Sequence, residues 1–276
     1  MSDFAVPRMC RSTQAESMQV SDCIHEAPGR ALSPIDEFET AMGALARTAG
    51  MMSTADHPEV LGEMLVVAAV ATTESYFRSL LGVLAANCPI TQQNVRSETI
   101  SLGAVLAYPR DLVALALVER ALFSSVGVIE TQLKRFLKYE TRAGSELKSA
   151  ISSFEIVCLS RHAAAHWRGY LDSAGLRTLQ IAASDVASYR IVASDALVQR
   201  AFAACDHLVH TANQVLAEFT VRKWVERQLL LLDHTNDDAD VARCDALVRI
   251  FGSSTDGVAP KTGGELLAQL VADATA

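Results

Sequence analysis

No Cys-x-x-Cys pair occurs in this sequence, whose six cysteines, Cys10, Cys23, Cys88, Cys158, Cys205 and Cys244, are scattered along it. That spacing implies neither a disulfide framework nor a zinc ribbon, so reduced thiols are the expectation. Long hydrophobic runs are missing too. The longest, Met64 to Ala71, falls well short of the ~20 residues that a membrane-spanning helix requires, and it predicts a buried helix with no membrane partner. The opening residues lack a charged start followed by an apolar stretch and are instead mixed polar residues with Pro7, Pro28 and Gly29. This pattern is unlike a signal peptide and predicts a cytoplasmic protein. Positive charge is not in excess, since the formal net charge is −8. Coating nucleic acid through bulk electrostatics is thereby excluded, and any nucleic-acid site has to be a local basic patch. No internal repeat is visible.

What is present is enough for a core. With 276 residues, half of them hydrophobic and a fifth charged, the chain can bury roughly 70 to 75 per cent of its unfolded surface and fold without staples. Helical signals dominate. Ser33 and Pro34, with Asp36 and Glu37 in the first turn, predict a helix start, and Ile35, Phe38, Met42, Leu45 and Ala49 then recur at helical spacing until Gly50. A longer helix is predicted from Pro58 to Asn87, where Cys88 and Pro89 stop it. A third region begins near Pro109 and is expected to run helically to about Glu140, loosened at Gly127. A fourth is expected from Ser145 to about Gly169, a residue that permits the left-handed closing conformation. "RTLQIA" and "SYRIVA", within residues 172 to 193, have the β-branched content of one short hairpin. Ser194 and Asp195 then cap a helix whose core-facing residues are expected at Leu197, Ala201, Ala204, Leu208, Ala212, Val215 and Phe219. The expectation is an all-α protein: a disordered or loosely attached segment 1–32, a helical bundle 33–222 and a small helical C-terminal extension 223–276.

Within the fourth helix, "VCLSRHAAAHWRGYLD", residues 157 to 172, concentrates Arg161, His162, His166, Trp167 and Arg168 in an alanine-rich background. An arginine can stabilise phosphate charge and an imidazole can move a proton, so Arg161 with His166 is a candidate pair for phosphoryl chemistry. Spacing alone does not single it out, because Arg200 with His207 and Arg227 with His234 are similarly placed. Arg200 and His207 are expected to be structural or interfacial. Local context favours the first pair: "LSRHAAAHWRGY" follows an apolar helix, sets a polar residue directly after the arginine and ends in Arg168 and Gly169.

That stretch resembles the signature of HEPN domains, the higher-eukaryote and prokaryote nucleotide-binding helical bundles. "ATTESYFRSLL", residues 71 to 81, looks like the early helix of their bacterial members, with an acidic residue followed by aromatics. The resemblance covers roughly residues 33 to 222. It implies a homodimer with a cleft at the subunit interface, acting as a metal-independent endoribonuclease without cofactors, often a toxin or phage-defence effector restrained by an antitoxin or another regulatory partner. By position, His166 matches the histidine of the signature, Arg161 its arginine and His162 the polar residue that follows. Trp167 and Arg168 stand where many members have asparagine and a small residue. Some members bind RNA, nucleotides or partners without cutting, so a non-catalytic binding or scaffold protein is the alternative.

Neutral His166 could take a proton from an RNA 2′-hydroxyl while Arg161 stabilises charge on the phosphorus oxygens, leaving a 2′,3′-cyclic phosphate. Five residues on a regular helix turn two side chains about 140° apart, which favours a cleft assembled from two copies. Lys134, Lys138 and Arg142 follow one another at four-residue steps in "KRFLKYETR" and, with Arg168, are the expected RNA-contacting cations. The favoured bland account of the same stripe is a solvated helix face opposite Leu133, Phe136 and Leu137. A competing metal site would use Cys158, His162 and His166 along one helix face. Ala163 stands where a His-Glu-x-x-His motif needs glutamate, so no metal is assigned.

Overall fold

The computed structural model describes residues 23–24, 32–110, 112–182, 188–232, 238–255 and 257–275. α1 (Pro34–Ala49) starts where the Ser33 hydroxyl accepts the Asp36 backbone N–H at 3.3 Å. Such a cap stabilises a helix by about 1 kcal/mol. α2 (Pro58–Asn87) is long and apolar nearly all round, and it ends at Cys88 before Pro89 opens α3 (Pro89–Asn94). α4 (Leu102–Ala107) is capped by Ser101. α5 (Val128–Leu137) and α6 (Glu146–Trp167) follow, the latter capped by Ser145 through the Lys148 N–H. α7 (Ser173–Thr178) is capped by Asp172, and α8 (Asp195–Glu226) by Ser194. α9 (Asp238–Phe251) and α10 (Gly263–Thr275) complete an all-α architecture.

α2 is the central helix, packed against α1, α6 and α8, and α6 also packs along α8. Phe77, Leu80, Leu81 and Leu84 from α2 are fully buried against Phe154 of α6 and Leu208, Ala212 and Leu216 of α8. Each large apolar side chain buried in this way contributes about 1.5–3 kcal/mol. By length and composition α2 could cross a membrane, but half of its most apolar stretch lies inside the bundle. The segment likened to a HEPN helix supplies polar ties as well: Tyr76 donates to Asn213 Oδ1 at 3.1 Å, and Asn213 donates to the Phe251 carbonyl at 2.8 Å. These two bonds join α2, α8 and α9.

Three expectations change. The helix expected from Pro109 to Glu140 is broken into a 3₁₀ segment at Val113–Leu117, a series of turns and α5, with Gly127 in the left-handed region at φ 73°. Side chains of other helices claim the backbone groups that a continuous helix would pair internally. Arg135 donates to the Leu117 carbonyl, Arg78 to the Ala121 carbonyl, and Glu74 accepts the Ser124 N–H at 2.8 Å. The hairpin is replaced. Residues 173–178 are helical, and 189–191 run antiparallel to 169–171, with Leu171 N–H donating to the Tyr189 carbonyl and Ile191 N–H to the Gly169 carbonyl. Of the stripe expected on α8, Ala201, Leu208 and Ala212 are buried, whereas Leu197, Ala204, Val215 and Phe219 are partly exposed and their neighbours Val198, Cys205, Leu216 and Thr220 are buried in their place.

The division expected after residue 222 falls inside α8. Past it, Ser254 N–H donates to Asp36 Oδ1 at 2.8 Å and Ser253 donates to Glu39 at 3.2 Å, so the α9–α10 segment is fastened to α1. Leu32–Ala276 is one unit by its contacts. Of the expected loosely attached segment 1–32, all but Cys23, Ile24 and Leu32 lie outside the described residues.

Candidate functional site

α6 stays regular to Trp167 and is then turned away by two successive left-handed residues, Arg168 at φ 51° and Gly169 at φ 84°. Glycine is needed at the second position because a side chain would also approach within 2.8 Å of the Ile191 carbonyl oxygen. Arg190 holds the turn. Its Nε donates to the Arg168 carbonyl at 2.9 Å, and its terminal nitrogens reach Glu59 at 3.3 Å and Glu63 at 3.2 Å on the first turns of α2. A planar guanidinium suits this because it can address three acceptors at once.

The turn brings Asp172 back beside α6. Its Oδ1 accepts the Gly175 N–H at 2.7 Å, while its Oδ2 lies 3.7 Å from His162 Nε2. His162 in turn contacts His166, with ring centroids 4.8 Å apart and planes inclined by 54°. Both rings are exposed. Trp167 and Tyr170 are about half exposed beside them in sequence, at 53% and 50%. The result is a carboxylate, two imidazoles and two aromatic rings at one helix end, open to solvent.

Arg161 is partly buried and lies on the same helix, but the regularity of α6 through Trp167 preserves the turn of about 140° between it and His166. One chain therefore pairs His162 with His166, and does not by itself aim Arg161 and His166 at one point. Cys158 points into the core. Burial pushes its thiol pKa up, and the nearby Arg161 opposes that push only weakly. Cys158, His162 and His166 consequently do not form a common exposed face, and among the described residues no three His, Cys, Asp or Glu side chains form a metal-binding cluster.

Arg168 shares the histidine end of α6, whereas Lys134, Lys138 and Arg142 precede the other end. From Glu146 to His166 is about 30 Å at 1.5 Å per residue, so these cations do not flank the histidines within one chain. Lys134 pairs with Glu140 at 2.7 Å. Lys138 closes α5 in the left-handed conformation, and Arg142 is exposed. Arg200 and His207 are exposed on α8, and His234 lies outside the described residues.

Asp172 and Tyr170 were not marked as site residues by sequence reasoning. Asp172 does carry a local signal, that of a helix cap before "SAG". Its approach to His162 depends on the Arg168–Gly169 turn and on Arg190, which is 22 residues from Arg168 in sequence. Compared with protein-family models, with curated proteins and with solved structures, the chain matches none.

Proposed function

We propose that this chain is an endoribonuclease of HEPN type, working without a metal or cofactor, in which His166 and His162 handle protons and Arg161 stabilises phosphate charge. The observation that carries the reading is the exposed pair of imidazoles 4.8 Å apart, with Asp172 beside one of them. Cleavage of RNA at a 2′-hydroxyl needs one proton removed and one delivered. The 2′-oxygen attacks phosphorus, the bond to the 5′-oxygen breaks, and the products are a 2′,3′-cyclic phosphate and a 5′-hydroxyl. His166 accepts the 2′-hydroxyl proton, and His162, with the Asp172 carboxylate 3.7 Å from its Nε2, serves the leaving 5′-oxygen. Trp167 and Tyr170 offer ring faces against which unstacked bases can lie.

Arg161 completes this site from a second copy of the chain, since one regular helix separates it angularly from His166. A homodimer is therefore part of the proposal. A toxin or defence role, with a regulatory partner that restrains cutting, is the setting in which such an activity is useful. The same angular separation favours a second reading if the chain stays monomeric, namely a non-catalytic RNA- or nucleotide-binding scaffold.

The test is solution mass together with cleavage of a mixed RNA pool in the presence of chelator. A dimer that cuts, and whose His166→Ala variant loses roughly a hundredfold or more activity with unchanged folding, supports the proposal. A stable monomer removes the shared cleft. A dimer whose His166→Ala variant cuts at the parental rate removes the catalytic role, and cleavage abolished by chelator points to a metal.

A further inference from the structure

At the opposite end of α6 from the histidines, the turn after α5 faces the C-terminal half of α8 across a groove of about 660 Å³. Lys138 and Arg142 line it from the turn, and Arg222 and Lys223 from α8. Between these cations, Tyr139 and Phe219 meet edge to face with ring centroids 5.1 Å apart, and the Lys223 ammonium stands 5.7 Å from the Phe219 ring centre. Three carboxylates also line the groove, and each is engaged. Glu140 pairs with Lys134, Glu226 with Lys223, and Glu218 accepts from Gln214. Lys138, Arg142 and Arg222 make no ion pair among the described residues, and although Glu218 keeps its charge beside the neutral Gln214 amide, the four cations lining the groove outnumber its three carboxylates by one, in a chain whose overall charge is −8.

The turn is held in place. Glu130 on α5 accepts from Thr141 at 2.8 Å and from Lys148 on α6 at 2.6 Å, which clamps the segment carrying Lys138 and Arg142 between two helices. A cationic groove floored by aromatic rings is the arrangement that tracks a single-stranded backbone while bases lie on ring faces. A duplex would meet the cations but leave the aromatic floor unused, and the carboxylate side chains of an acidic peptide carry no aromatic ring to stack on it.

We infer that the groove formed by Lys138, Tyr139, Arg142, Phe219, Arg222 and Lys223 is a holding site for single-stranded RNA, separate from the histidines. The inference rests on the RNA reading above and deepens it by giving the substrate a second point of attachment. About 30 Å of α6 lies between the two places, which corresponds to roughly nine stacked nucleotides at 3.4 Å each. A strand attached at both places would therefore have to span at least that length.

The experiment measures binding alone, so that it stands apart from cleavage. A fluorescently labelled, single-stranded 2′-O-methyl RNA of mixed sequence, about sixteen nucleotides long and thus within the range of single-strand site sizes, is titrated with the full chain across a series of salt concentrations. The expected result is that Arg142→Ala combined with Arg222→Ala weakens binding about tenfold or more and lowers the salt slope by about 1.4, the value for two lost phosphate contacts on a single strand. Arg47→Ala, which removes an exposed cation from α1, leaves binding as it was. Circular dichroism establishes that the double variant is folded; if it is not, Arg222→Ala alone is measured, with half the change in slope expected. Binding by the folded variants equal to that of the parent overturns the inference, as does a parent chain that binds no RNA. Displacement of the RNA by a polyglutamate peptide at equal concentration assigns the groove to acidic peptides instead. Groove-dependent binding by a protein that does not cut RNA sinks the catalytic reading while leaving the holding site in place.

Discussion

The side chain of Arg190 donates to the backbone carbonyl of Arg168 at 2.9 Å, binding the segment before α8 to the turn that ends α6. Because the same guanidinium also meets Glu59 and Glu63, one residue connects α2, the end of α6 and the 189–191 segment. Arg190→Ala is expected to cost about 1–2 kcal/mol, chiefly through the lost bond to the carbonyl, because exposed ion pairs contribute little. Arg190→Lys is expected to recover only part, since an ammonium lacks the fork that addresses three acceptors. Chemical denaturation measures the cost, and amide exchange at Gly169 to Leu171 is expected to quicken in both variants.

Asp172 has two separable tasks. Its Oδ1 caps α7 and its Oδ2 faces His162. Asp172→Asn keeps an oxygen for the cap and removes the charge, so stability is expected to change by less than about 0.5 kcal/mol while RNA cleavage falls. Asp172→Ala removes both and is expected to cost about 1 kcal/mol in addition. Equal cleavage by the parent and Asp172→Asn in parallel assays would remove Asp172 from the proposed chemistry.

Thiol reactivity follows burial. Cys88, Cys158, Cys205 and Cys244 are buried, whereas Cys23 is exposed. Burial pushes the Cys205 and Cys244 thiols up to about 11, and the Cys158 thiol higher still, so little thiolate exists there near neutrality. A thiol reagent near neutral pH is expected to modify the exposed Cys23 rapidly and the buried cysteines only on unfolding. Mass mapping of the modified peptides checks this, and rapid labelling of Cys158 in the folded chain would contradict its place in the core.

The clamp between Glu130 and Lys148 sets a pH window. The hydrogen bond from Lys148 holds the Glu130 carboxyl below the usual range, and the bond to Glu130 raises the Lys148 ammonium above its own. The depressed carboxylate stabilises the fold above its unfolded value of about 4.3 and loses that contribution as pH falls through the folded value. The raised ammonium stabilises the fold below about 10.4 and loses its contribution as pH rises through the folded value. The stability difference between the parent and Glu130→Gln is therefore expected to be flat between about pH 5 and 10, under about 1 kcal/mol because the pair is partly exposed, and to vanish on both sides. Denaturation midpoints across pH measure it.

Helix starts were legible in the sequence because a cap is local. Ser33, Ser145 and Ser194 each bond a backbone N–H three residues ahead, so a short stretch of chain contains both partners. The stop of α2 at Asn87 is equally local, since Pro89 cannot continue a helix. The same locality placed Arg161, His162 and His166 on one helix near its end. Tertiary structure decided what distance in sequence conceals. The 109–127 segment has helical composition, yet Arg78, Glu74 and Arg135 capture its backbone groups from α2 and α5, and such partners compete with internal helix bonds only once the bundle has formed. Periodicity found the helical repeat of α8 and the burial of Ala201, Leu208 and Ala212, but Val198, Cys205 and Leu216 rather than Leu197, Ala204 and Val215 complete the buried face, because its angle is chosen by the helices packed against it. Asp172 meets His162 only because Arg190 and two left-handed residues fold the chain back, and Arg142 and Arg222 line one groove only because the turn after α5 meets α8. Local bonding rules set where the helices begin and end, while which of their side chains share a site depends on long-range packing.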